Sequence, residues 1–268
     1  MGETPSWLEG LRAAQAVLAR GDAQGCLDAL ATLRREHPDD ELCRALALEA
    51  RGRALFALNQ PDAAVEALAE SLQLLRVCKG ATASLTLGVM QNLSFALQGL
   101  GRLDESIELA AEAARGLEAS LGPDAPQLAE CLLRLSSSWY RKGNFDRAET
   151  LMLRAQAIWE KLGDAEKLGT CLNNLGRIHE ERGQLAEGIL LHRRALAVRQ
   201  AAQGEHEDTA FSHGNLGVAL ATAGQWDEAI EHLRAAVDMY DRVGKGGCPE
   251  ARGYRDNLEL CLKARDEA

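Results

Sequence analysis

The chain has 268 residues, of which 30 are basic and 40 acidic, and its formal net charge is −10. Such a chain is repelled by phosphate backbones and anionic lipid, which argues against nucleic acid or a membrane surface as a partner. It is 46% apolar but only 4% aromatic, with 6 prolines, a composition that favours helix over strand. No apolar run approaches the roughly 18 residues a membrane helix needs. The opening residues, MGETPSWLEG, carry neither the basic nor the apolar region of a signal peptide. The expected location is cytoplasmic.

In chain order, six helical hairpins are expected, over about 7–38, 45–79, 87–120, 129–163, 169–203 and 210–244. A capping helix over about 249–266 completes a single domain spanning 1–268. Thr4 and Pro5 read as the N-cap and first residue of the first helix. The signal behind the hairpins is self-similarity. Gly21, Asn59, Gly101, Gly143, Gly183 and Gly224 each end a helical pattern, at spacings of 38, 42, 42, 40 and 41 residues. Seven residues before each stands a small residue: Ala14, Gly52, Ser94, Ser136, Gly176 or Gly217. Five after stands another: Cys26, Ala64, Ser106, Ala148, Gly188 or Ala229. Twelve after, five of six are small, Leu33 being the exception. Small residues held in register mean helix backbones that approach closely.

With the turn residue numbered 15 in each unit, the first helix carries its apolar or small residues at positions 4, 7, 8 and 11. In the fourth copy these are Leu132, Leu135, Ser136 and Trp139, one face of a helix. The second helix carries positions 20, 24 and 27, as in Ala148, Met152 and Ala155. Residues 171–183, CLNNLGRIHEERG, set Asn173 and Asn174 side by side in a predicted helix. Asparagine is a mediocre helix former, since its amide competes for nearby backbone groups. In the last helix Glu259 stands where the other copies hold a small residue, as suits an outward-facing cap.

The seven cysteines are odd in number and form no CxxC, which reads as reduced, buried thiols. His179, His192 and His213 fall at positions 11, 24 and 4, all facing the space between helices, and are expected to fill core positions without holding a metal. HEER at 179 is not HExxH, GKGG at 244 lacks the spacing of a phosphate loop, and no nucleophile elbow surrounds Ser136, Ser137 and Ser138. Neither catalysis nor a cofactor is expected.

The pattern at positions 4, 7, 8, 11, 20, 24 and 27 resembles the tetratricopeptide repeat (TPR). The unit length of about 42 residues, and phrases such as NNLGRIHEERGQLAEGILLHRRALAVRQ, resemble the repeats of kinesin light chain. The resemblance implies an all-α, right-handed superhelical solenoid whose first helices line a concave groove through positions 2, 5, 6, 9, 12 and 13. Asn92, Asn174, Asn215 and Asn257 all fall at position 6, with Arg134 and Arg12 there in the fourth and first copies. In the family such asparagines hold the backbone of an extended peptide; bridging of neighbouring helices is the alternative. The groove would also hold Arg53, Arg141 and Arg177 against Glu49, Glu130, Glu180 and Glu181, with Phe56, Phe95, Tyr140 and Phe211 among them. Arginine forks suit carboxylates. Arg134, Arg141 and Arg177 are therefore expected to pair acidic groups, and Phe95 and Tyr140 to take apolar side chains. The set of Lys, Asn and Arg by which some TPR co-chaperones grip a C-terminal carboxylate is absent.

The function this implies is a non-catalytic adaptor or scaffold, a monomer or weak homo-oligomer, that binds an extended segment of a protein or peptide bearing acidic residues. The alternatives are a peptide-sensing regulator and a self-assembling scaffold.

Overall fold

The computed structural model describes residues 5–78 and 83–267. All regular structure among them is α-helical. The helices are α1 (Trp7–Ala19), α2 (Ala23–Glu36), α3 (Glu41–Ala57), α4 (Pro61–Val77), α5 (Ala83–Gly99), α6 (Leu103–Leu121), α7 (Pro126–Arg141), α8 (Phe145–Leu162), α9 (Ala165–Glu181), α10 (Leu185–Gln203), α11 (Glu207–Thr222), α12 (Trp226–Arg242) and α13 (Pro249–Asp266). The chain divides into two compact units, Met1–Lys142 and Gly143–Ala268.

The repeated turn residue has one physical cause. Gly21, Asn59, Gly101, Gly143, Gly183 and Gly224 all take positive φ, from 58° at Asn59 to 88° at Gly21. In that conformation the following amide reaches back to a carbonyl of the last turn, as Gln60 does to Leu55 at 2.9 Å and Gln225 to Leu220 at 3.0 Å. Glycine and asparagine tolerate it, which is why they recur there. The second helix starts on a capping side chain in two of the copies. Asp22 accepts from the amide of Gly25 at 2.7 Å and Asn144 from that of Arg147 at 3.1 Å.

The first helices of the later hairpins begin about one turn earlier than expected. α3 starts at Glu41 rather than 45, α5 at Ala83 rather than 87, α7 at Pro126 rather than 129, α9 at Ala165 rather than 169, and α11 at Glu207 rather than 210. Asp40 and Asp164 cap α3 and α9, and Pro126 opens α7. The extra length of these units thus lies largely in longer helices: α3 has 17 residues where α1 has 13. α1 begins at Trp7, not at Pro5, whose carbonyl instead accepts from the amide of Leu8. Thr4 and residue 79, the expected end of the second hairpin, lie outside the described residues.

In the first unit, Leu48, Leu68, Met90, Leu128 and Leu132 are fully buried; in the second, Met152, Leu172, Leu175, Ile178, Leu216, Leu220 and Tyr240 are. The small positions do what their recurrence implied. A Cβ added to Gly188 would stand 3.0 Å from the carbonyl oxygen of Gly176 on the facing helix, so these two backbones touch. All seven cysteines are free, and five are buried; burial pushes the Cys171 thiol up to about 12. No helix among the described residues is long and apolar enough to cross a membrane.

One polar contact ties the first hairpin to the second. Asp40 accepts from the amide of Cys43 at 2.8 Å through one oxygen and from the Trp7 indole at 2.7 Å through the other. Asp40→Ala removes a cap and leaves a buried indole N–H without its partner. It is expected to cost about 2 kcal/mol, read as a lower urea midpoint with an unchanged slope.

Candidate functional site

In the first unit, α3, α5 and α7 bring three of the expected groove residues to one place. Asn92, Phe95 and Arg134 line a cavity of about 260 Å³ together with Arg53 and Phe56. The rings of Phe56 and Phe95 lie 5.0 Å apart and tilted by 52°, an arrangement that aromatic quadrupoles favour. The Arg134 guanidinium sits 5.6 Å from the Phe95 ring centroid. Phe95 is nevertheless 43% exposed, a large apolar ring left open beside two arginines. A second cavity of about 350 Å³ shares Arg53 and Asn92 with the first and adds Arg12, Gln15 and Glu49.

Between the two cavities the Asn92 amide donates to Glu49 at 2.8 Å, joining α5 to α3. Glu49 also stands 3.6 Å from Arg53. Burial raises its carboxyl above the usual range, against the opposing pull of Arg53 and of the Asn92 hydrogen bond. Tyr140 and Arg141 lie outside both cavities. Tyr140 is half-buried, and the exposed Arg141 donates to the carbonyl of Gln98 on α5.

In the second unit, Asn215 on α11 accepts from the Tyr254 hydroxyl of α13 at 3.0 Å, while its amide nitrogen is buried without a protein partner. Asn257 donates to its own helix, at Gly253, 2.9 Å. Asn174 is half-buried and Arg177 exposed on α9. The position-6 asparagines therefore do not share one set of contacts: Asn92 and Asn215 join neighbouring first helices, and Asn257 serves its own.

Asn173, the other half of the asparagine pair, is 2% exposed. Its amide donates to Ser212 at 3.0 Å and its oxygen faces His192 Nδ1 at 2.9 Å. Close by, Arg199 is also 2% exposed. It donates to the Asp208 carbonyl at 2.9 Å, to Ser212 at 3.0 Å and to Thr170 at 2.8 Å. Burial lowers its proton affinity, which the Asp208 carboxylate partly restores. This polar network joins α9, α10 and α11 through the buried Asn173, His192, Arg199 and Ser212, so it is part of the core.

The three histidines singled out in the sequence do not converge; each has its own partner. His179 meets Glu149 at 3.2 Å and Gln184 at 2.8 Å. His192 meets Asn173, and His213 meets His232 at 2.9 Å. No group of three or more metal-ligating side chains occurs among the described residues.

Sequence reasoning missed Arg199 and His232. Arg199 stands at position 31, where other copies hold the buried Leu75, Leu117, Trp159 and Tyr240, a recurrence that marks the position as core but not its occupant as arginine. His232 lies across the hairpin from His213, at a position the repeat pattern leaves free.

Similarity to known proteins agrees with this architecture. The family model described as Tetratricopeptide repeat matches residues 85–161, 138–201 and 172–242, together more than half of the chain. BtubC (BKLC) from P. vanneervenii is 18% identical over 91% of this chain and 94% of its own, with a TM-score of 0.68. The TPR-like repeats of a Podosopora anserina protein assigned as a kinesin light chain are 20% identical over 76% of this chain and 98% of theirs, with a TM-score of 0.65. The apo quorum sensor NprR from B. thuringiensis is 14% identical over 97% of this chain and 69% of its own, with a TM-score of 0.71; NprR is also solved with its cognate peptide NprX. None of the curated proteins matches. The chain belongs to the tetratricopeptide repeat family.

Proposed function

We propose that the chain is a non-catalytic interaction scaffold that binds an extended segment of a protein or peptide along its first helices, with the Phe56–Phe95–Arg134 cavity of the first unit as the anchor. The observation that carries this is Phe95, an aromatic ring 43% exposed between Arg53 and Arg134 in a chain of net charge −10. Exposed aromatics beside arginine are the residues that dominate binding energy in interfaces. The cavity takes one bulky apolar side chain; the two guanidinium forks take a neighbouring carboxylate. Tyr140 and Arg141 extend the contact within the first unit, and Asn174, Arg177, Asn215 and Asn257 are the second unit's own contact residues. The bound segment is ordered on binding, which opposes affinity, and the arginine contribution weakens with salt. The fold shared with NprR, which is solved with a peptide, supports a short peptide as one form of this segment.

The test is selection from a random peptide display library on the immobilised chain. Recovered peptides should combine an acidic with a bulky apolar residue and should lose affinity on Arg134→Ala. Peptides that bind the parent and that variant equally would remove the reading. Size-exclusion chromatography with light scattering is expected to give a monomer or a weak dimer; a polymer would favour a self-assembling scaffold instead.

Glu49 sets a limit on this site, because its carboxylate competes for Arg53. Glu49→Gln keeps an acceptor for Asn92 and is expected to tighten an acidic peptide by roughly two- to fivefold, about 0.4–1 kcal/mol. The same change has a pH signature. The folded-state pKa of Glu49 is raised, so the folded parent holds its proton longer than the unfolded chain does. Its contribution is present below the unfolded value of 4.5 and is lost as pH rises through the folded value. The Gln variant, followed by urea unfolding across acid pH, should lack that loss.

A further inference from the structure

Gly88 is a glycine that packing does not require. It lies inside α5, where glycine weakens a helix relative to alanine. Glycines at the small positions of the repeat are held there by a neighbour: a Cβ on Gly52 would stand 2.5 Å from Leu68 Cγ, and one on Gly217 2.7 Å from Leu233 Cγ. A Cβ on Gly88 would meet nothing within 4 Å. Gly88 is position 2 of the third copy, and the first two copies hold Leu8 and Leu46 there. Leu8, Leu46 and Gly88 all line the cavity of about 350 Å³ formed by α1, α3 and α5. A leucine in the third copy would project into this cavity; the glycine leaves it open. We propose that the cavity is a second subsite of the groove, where the bound segment lays its backbone across Gly88, buries a leucine-like side chain and pairs a carboxylate with Arg12. The inference rests on the groove-binding reading above and adds a second anchor to it.

The walls decide the occupant. Leu8, Leu11, Leu46, Leu85 and Val89 supply aliphatic surface, whereas Phe56 and Phe95 supply rings in the neighbouring cavity. Burying an aliphatic side chain there removes apolar surface from water on both partners. Glycine is also the residue that lets another backbone come close. Among the described residues the lining carries two cations, Arg12 and Arg53, and one carboxylate, Glu49. Glu49 is engaged by Arg53 and by the Asn92 amide, so the exposed Arg12 is left to meet an incoming acidic group. Both cavities share Arg53 and Asn92, so one extended segment reaches the two of them.

Peptides selected from a random display library on the full chain are the probe. They should carry a Leu, Ile or Met in addition to the bulky residue and the acid. Gly88→Ala should raise the urea midpoint, because the helix gains a better former and the new Cβ meets nothing, yet weaken the peptides severalfold. Gly88→Leu fills the cavity and should weaken them at least about tenfold. Replacing the peptide's aliphatic residue by alanine should cost the parent a similar factor and cost Gly88→Leu little. Arg12→Gln should weaken binding and flatten its salt dependence. Equal affinity for the parent and Gly88→Leu overturns the subsite; if those peptides still depend on Arg134, the Phe95 anchor stands alone. Peptides that ignore Arg134→Ala but lose affinity on Gly88→Leu uphold the subsite and remove that anchor. A midpoint lowered by Gly88→Ala would show that the space beside Gly88 is not open, and overturns the subsite as well. Unchanged affinity in Gly88→Ala overturns the backbone crossing, and unchanged affinity in Arg12→Gln overturns the carboxylate pairing.

Discussion

Replacing Arg199 by alanine is expected to destabilise the protein by roughly 3–5 kcal/mol, the usual cost of breaking a buried charged network. Its guanidinium reaches Thr170 on α9 and Ser212 and Asp208 on α11 from its own place on α10. Alanine would leave those acceptors facing a void, with the Asp208 carboxylate, 3.9 Å from Nη2, losing its counter-charge. Arg199→Met separates charge from volume. It fills much of the space and removes the desolvation cost of the cation, so it should recover about half of the loss. A second residue tests the geometry. A Cβ on Gly169 would stand 2.5 Å from Arg199 Nε, so Gly169 is small because the arginine lies across it. Gly169→Ala should therefore be costly in the parent and much less so beside Arg199→Ala, with a coupling of about 1 kcal/mol or more. Urea unfolding of the five proteins measures all of this. An Arg199→Ala variant within 1 kcal/mol of the parent would mean the network is incidental.

Much of the fold was legible because its cause is local and repeated. A residue that must take positive φ announces itself as Gly or Asn wherever it recurs, and Gly21, Asn59 and Gly101 did so. Helix starts were less legible, since the repeat pattern marks packing faces while the start is set by a cap such as Asp40 or Asp164, which the pattern does not include. The site was legible only where position alone decides. Asn92, Phe95 and Arg134 come together because their helices stand side by side with matched registers. What each side chain does there depends on its neighbours. Asn92 is engaged by Glu49 and Asn215 by Tyr254, residues whose roles no repeat position encodes. The period marks the position of Arg199 as buried, as it does for Leu117, Trp159 and Tyr240, but that the occupant is an arginine is set by its surroundings, Gly169, Thr170 and Ser212.

The largest effect on binding is expected at Phe95. Phe95→Ala should weaken a groove-selected peptide by at least thirtyfold, about 2 kcal/mol, as for an interface anchor. The ring is already 43% exposed, so the same change should cost the fold less than about 1 kcal/mol, and the two readings separate cleanly. Arg134 acts on the ligand in two ways, and its variants divide them. Arg134→Ala removes both the stacking on Phe95 and the fork for a carboxylate; Arg134→Lys keeps the charge but loses the planar fork and its stacking. Lysine should therefore preserve the salt dependence of binding and still lose affinity, while alanine should lose both. Phe95→Ala and Arg134→Ala together should cost less than their sum, because Arg134 is placed by the ring it covers. The measurement is peptide affinity for the five proteins at two salt concentrations. Unchanged affinity in Phe95→Ala would move the binding surface away from α3, α5 and α7. Additive losses would mean that ring and guanidinium meet the ligand independently, and the anchor would then be two separate contacts.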